Sequence, residues 1–106
     1  MGKPNLTYTS GLVLQAIANG HCYGFDIMDQ SGLPDGTVYP ALRRLESAGM
    51  LVGRWEEERI AQSKGRPARR YYRLTAAGQR MLVEARSRFP GLSMAGEVKL
   101  LRPRDA

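Results

Sequence analysis

The spacing of the apolar residues changes at Gly49, from helical before it to alternating after it, and this switch limits the folds open to the chain. Upstream, Tyr8 to Asn19 carries Leu12, Val13, Ala16 and Ile17 on one helix face, with Thr9 or Ser10 to cap its start and Gly20 to end it. A link of His21 and Cys22 leads to a short second helix, Tyr23 to Ser31, with Phe25, Ile27 and Met28 apolar and Gly32 closing it. After the turn Gly32 to Gly36, a third helix from Thr37 to Ala48 sets Val38, Leu42 and Leu45 on one face. Pro40 is tolerable in its first turn, forfeiting at most the earliest ladder bond if Asp35 or Gly36 caps the helix.

Downstream, Met50 to Glu57 reads as a strand, with Val52 and Trp55 as its bulky members and Gly53 as a weak point. Arg59 to Ala68 is polar, holds Gly65 and Pro67 and lacks a period, so a loop is expected. Arg69 to Leu74 alternates, Tyr72 and Leu74 facing one way and Tyr71 and Arg73 the other. Thr75 caps a fourth helix to about Phe89, with Met81, Leu82, Ala85 and Phe89 apolar and Pro90-Gly91 as its stop. Leu92 to Ala106 is weakly amphipathic around Val98, Leu100 and Leu101. The order helix, helix, turn, helix, hairpin, helix predicts a mainly α chain with a small β-hairpin (α+β), a winged helix-turn-helix. Its expected divisions are the winged domain over 1–74, a C-terminal dimerisation helix over 75–89 and a tail over 90–106.

Charge narrows the partner. The formal net charge is +6, which favours a polyanion, either nucleic acid or an anionic membrane surface. Between Arg59 and Arg73 lie six basic residues and no acidic one, and the other 10 basic residues equal the 10 acidic ones. The hairpin therefore carries the whole excess, as a phosphate footprint would. No run of about 18 apolar residues exists, so no membrane-spanning helix is expected. No apolar stretch follows Met1 to Pro4 to make a secretory signal, and Leu6 stands where a myristoylation signal wants a hydroxyl. Cys22 is the sole cysteine, which excludes an internal disulfide and fits a reducing cytoplasm.

No enzyme is expected, and no cofactor or metal. HExxH, CxxC, GxSxG and P-loop patterns are missing, and His21 and Cys22, as sequence neighbours, do not readily form a nucleophile and its base. His21 reads as a loop residue and Cys22 as a small apolar group.

The third helix suits the major groove of double-stranded DNA. Its outward positions are Thr37, Tyr39, Pro40, Arg43, Arg44 and Ser47. Arginine bonds guanine bidentately and threonine reaches a base edge or a thymine methyl. Taken alone, Arg43 and Arg44 fit a solvated helix face equally well. In the hairpin, Lys64-Gly65-Arg66 has the composition of a wing tip, with Gly65 allowing close backbone approach and Arg66, Arg69 and Arg70 holding phosphates. Arg66→Ala is then expected to weaken all DNA sequences alike. Glu56, Glu57 and Glu58 would repel DNA, so that end of the strand is expected to point away.

Three runs carry a resemblance: Tyr23-Gly24-Phe25-Asp26-Ile27, then Gly36 through Gly49, then Gly65 through Gly78 with its Tyr71-Tyr72-Arg73-Leu74-Thr75 centre. Over residues 8 to 88 the chain resembles the PadR-like transcriptional regulators. The resemblance implies a winged-helix repressor that dimerises through its C-terminal helix, some relatives responding to phenolic acids or flat aromatic drugs near the dimer interface. Thr37, Tyr39, Pro40, Arg43 and Arg44 then match the recognition helix, and Lys64 to Arg70 the wing. Tyr8, Leu12, Met81, Leu82, Ala85 and Phe89 fall on the helices that pair across the dimer in relatives, and core packing within one subunit remains open for all six. The chain resembles the short branch, departing from longer relatives in Pro90-Gly91, a basic tail and a fourth helix without Trp. The expected function is a homodimeric, sequence-specific DNA-binding regulator, a repressor released by a small aromatic effector. The other reading is a winged-helix module that binds proteins, which the charge of Arg59 to Arg73 disfavours.

Overall fold

The computed structural model describes residues 5–92. Its elements are α1 (Tyr8–Ala18), α2 (Gly24–Ser31), α3 (Asp35–Ser47), β1 (Leu51–Trp55), α4 (Glu58–Ser63), β2 (Arg70–Leu74) and α5 (Ala76–Arg88). This is the expected helix-turn-helix and hairpin, with a further helix, α4, between the two strands. The change of period at Gly49 falls between α3 and β1.

Local chemistry sets the helix ends. α1 is capped by Thr7, whose hydroxyl accepts from the Ser10 N–H at 3.0 Å. The expected caps, Thr9 and Ser10, lie inside the helix instead, and Ser10 is buried. Gly32 ends α2 in a left-handed conformation. α3 starts at Asp35, after Pro34, so Pro40 stands in its second turn rather than its first. Lacking an N–H, Pro40 leaves the Gly36 carbonyl without a ladder donor, and the exposure of Gly36 lets water take that role. Thr75 caps α5 as expected, its hydroxyl accepting from the Gly78 N–H at 3.0 Å.

One apolar cluster joins Val13, Leu14 and Ile17 of α1, Ile27 of α2, Val38, Leu42 and Leu45 of α3, Leu51, and Met81, Leu82 and Ala85 of α5. Buried Gln15 ties α1 to the far end of α5. Its Nε2 donates to the Leu92 carbonyl at 2.8 Å, and Arg86 Nε donates to its Oε1 at 3.2 Å. Leu92, expected to open the tail, is fully buried, while Val98, Leu100 and Leu101 lie outside the described residues.

β1 and β2 pair antiparallel, Leu51 opposite Leu74, Gly53 opposite Tyr72 and Trp55 opposite Arg70. The other edge of β2 meets the link before α2: the Tyr72 N–H donates to the Cys22 carbonyl at 2.8 Å, and Tyr23 bridges to Tyr71. That link therefore acts as a third edge of the wing. Of the loop expected over Arg59 to Ala68, Lys64 to Ala68 is loop as expected, and the part up to Ser63 is instead helical, in α4. Six residues are too few to display a period. Its marks are at its ends, Glu57 and Glu58 at the start and Lys64 then Gly65 at the close, with Ala61 fully buried. Gly65 has φ 67, the left-handed geometry that stops a helix, so its role is to end α4.

Candidate nucleic-acid interface

α3 separates its residues as a recognition helix must. Val38, Ala41, Leu42 and Leu45 are buried, Thr37 and Pro40 are half-buried, and Arg43, Arg44 and Ser47 are exposed. Among the described residues no carboxylate pairs with Arg43 or Arg44. Tyr39 is exposed, as expected, and its ring also leans on α2. Its ring lies so close over Gly24 that a Cβ there would collide with the hydroxyl and ring edge. Tyr39 thus closes α3 onto α2 and sets the angle between them.

The wing differs more. Arg66 forms two bonds to Glu56, NH1 to Oε1 at 2.6 Å and NH2 to Oε2 at 3.0 Å, with side-chain exposures of 20% and 8%. Arg70 NH2 donates to Glu46 Oε2 at 2.6 Å, joining β2 to the last turns of α3. Arg69 lies 4.0 Å above the Tyr23 ring, and Arg59 pairs with Glu57 at 3.2 Å on the exposed surface. Lys64 and Arg73 are exposed with no carboxylate partner among the described residues. The six-residue phosphate footprint is thus partly neutralised from within. Glu56, expected to point away from DNA, closes the wing on itself through Arg66. Sequence reading missed Glu46 and Glu56, since both bonds span distant positions that no short motif links.

The hydrogen bonds from the Arg66 guanidinium, aided by the Arg69 N–H at 3.2 Å, hold the Glu56 carboxyl down to about 2 from an ordinary 4.5. A lowered carboxylate stabilises the fold above its unfolded value and loses that contribution as pH falls toward the folded one. The Tm gap between the wild type and Glu56→Gln is therefore expected to be full at neutral pH and to close between about pH 4.5 and 2. A gap constant across that window would contradict the pairing.

Between α2, α3 and the hairpin lies a cleft of about 320 Å³ lined by Tyr23, Phe25, Tyr39, Trp55 and Tyr72, with Phe25 72% and Trp55 63% exposed. A second cavity, of about 630 Å³ between α1, β2 and α5, is bordered by Ile17, Cys22, Tyr71, Leu82, Val83 and Arg86. Burial, then the charge of Asp26, pushes the Cys22 thiol up. Of the residues expected at a dimer interface, Met81, Leu82 and Ala85 are buried in the chain's own core. Leu12 and Phe89 are half-buried, and exposed Tyr8 meets Phe89 edge-on at 5.8 Å between ring centres. The three core residues follow from the close packing of α5 on α1, which leaves Tyr8 and Val83, 67% exposed, as the outward large apolar groups of these two helices.

Residues 13–84 match the Transcriptional regulator PadR-like family, well over half of the chain. The chain belongs to the PadR-like family of transcriptional regulators. It is 47% identical over 51 residues to the transcriptional regulator Rv3488 of Mycobacterium tuberculosis, a stretch covering 48% of this chain and 42% of that one. The chain thus aligns with less than half the length of that relative. The crystal structure of a PadR family transcription regulator from hypervirulent Clostridium difficile R20291 is similar at TM-score 0.67 and 28% identity, covering 89% of this chain and 99% of the other. That of smu.1704 from Streptococcus mutans UA159 is similar at TM-score 0.66 and 26% identity, covering 99% and 100%. PadR-like proteins are DNA-binding regulators and not enzymes, and membership implies DNA-binding regulation. Among the described residues no helix is long and apolar enough to cross a membrane.

Proposed function

We propose that the chain is a sequence-specific, double-stranded DNA-binding repressor that acts as a cytoplasmic homodimer. The observation that carries this reading is α3: one face buried to its last leucine, the other presenting Thr37, Arg43 and Arg44 without carboxylate partners among the described residues. Base edges are read by Arg43 or Arg44, with Thr37 and Pro40 flanking them, and Lys64 at the wing takes a phosphate. Because Arg66 is held by Glu56, the uniform loss of affinity expected from the sequence at Arg66 passes to Lys64. Lys64→Ala should weaken all duplexes alike and reduce the salt slope by about 1. A loss confined to one sequence would contradict that role.

Outward Tyr8 and Val83 support the homodimer, since a chain of 11.8 kDa buries a modest core alone. Sedimentation at micromolar concentration should give twice that mass, and a monomer would contradict it. The cavity beside Val83, apolar with Tyr71 at its wall, suits a flat aromatic effector. Such a molecule releases DNA only by favouring one dimer state, so DNA must weaken its binding by the same factor.

A further inference from the structure

The wing holds two arginines against carboxylates beside a surface meant for phosphates. Each carboxylate opposes DNA, and each pairing removes a cation from it. The geometry shows what is gained. Arg70 starts on β2 and ends on Glu46 of α3, so its guanidinium must cross β1. It does so over Gly53, where an added Cβ would lie 2.7 Å from its Nε and NH2. The same guanidinium sits 5.5 Å from the Trp55 ring centre and 5.7 Å from that of Tyr72, so it is braced on three sides. Arg66 and Glu56 form a second ion pair within the hairpin. Gly53, a weak point for a strand, is the gap through which wing and recognition helix are tied.

We propose that Arg70, pinned to Glu46 through the gap at Gly53, is a positioning residue that fixes the angle of the wing to α3 and thereby sets sequence specificity. It rests on the reading that α3 and the wing grip one duplex. With the angle fixed, base contacts and phosphate contacts coincide only in a matched register. With Arg70 sequestered, a random duplex gains no phosphate contact from it.

The test measures affinity for two duplexes of equal length across a salt series: a site selected from a genomic pool, and the same bases scrambled. Charge alone makes Glu46→Gln bind every duplex better. The tie makes a different demand: Glu46→Gln should hold scrambled DNA more tightly, with a salt slope larger by about 1 from the freed arginine, while the selected-to-scrambled ratio falls about tenfold. Gly53→Ala changes no charge yet displaces the guanidinium, and should lower the ratio as far. The double variant should lower it no further, since both break one link. Arg70→Met should lower the ratio while leaving the wild-type salt slope unchanged.

A ratio unmoved in Glu46→Gln overturns the proposal, as does a slope reduced by about 1 in Arg70→Met, which would make Arg70 an ordinary phosphate contact. Melting curves of each variant confirm folding, and Glu46→Gln, an isostere on a half-exposed site, carries the test if Gly53→Ala is unstable. A wild type that prefers no duplex overturns specific DNA reading itself, and the proposal with it; a wild type that discriminates while the variants discriminate equally overturns the tie alone.

Discussion

Replacing Leu45 with alanine lowers the free energy of unfolding by about 2–5 kcal/mol, the range for truncating a buried leucine. Leu45 is 1% exposed on the inward face of α3 and belongs to the cluster that joins α1, α2, β1 and α5. The same turn also sets the path into the hairpin, because the Leu45 carbonyl accepts from the Met50 N–H at 2.9 Å. Urea denaturation measures the loss as a lower midpoint at constant slope. Ser47→Ala, on the exposed side of the helix, should move stability by no more than about 0.5 kcal/mol. A comparable loss at both positions would show that α3 is not seated as described.

The second large effect falls on DNA. Of Arg43→Ala and Arg44→Ala, the one that removes a bidentate base contact should lose roughly 1–3 kcal/mol on the preferred duplex and much less on a scrambled one. Both arginines are exposed, and neither has a carboxylate partner among the described residues, so the loss of either disturbs little of the fold. Fluorescence anisotropy with the two duplexes separates the cases. Equal losses on both duplexes for both variants would mean that α3 only positions the protein. Specificity would then have to come from the wing or from DNA shape.

Much of this molecule is written in local sequence. Val38, Leu42 and Leu45 repeat at helical spacing and are buried; Thr75 stands where a cap is needed and forms one; the alternation of Tyr71 to Leu74 is a strand. What escaped was of two kinds. α4 is too short for periodicity and is held by its end residues and by buried Ala61. The wing's ion pairs join residues 10 and 24 positions apart, and such pairings exist only once the hairpin has closed. A run of six cations looked like an open phosphate surface because sequence proximity reveals charge but not partners. Tyr39 is exposed as its spacing on α3 indicates, and only its contact with Gly24 on α2 escaped, because that neighbour lies 15 positions away.

Selection of bound fragments from a genomic DNA pool tests the central claim most directly. A dimer with one recognition helix in each of two successive major grooves should enrich a near-palindromic site with half-sites about one helical turn apart. Binding to that site should fall with rising salt and outlast binding to scrambled DNA. A pool that emerges from repeated rounds with no common sequence, or protein that fails to retain DNA at low salt, would contradict specific DNA reading by α3.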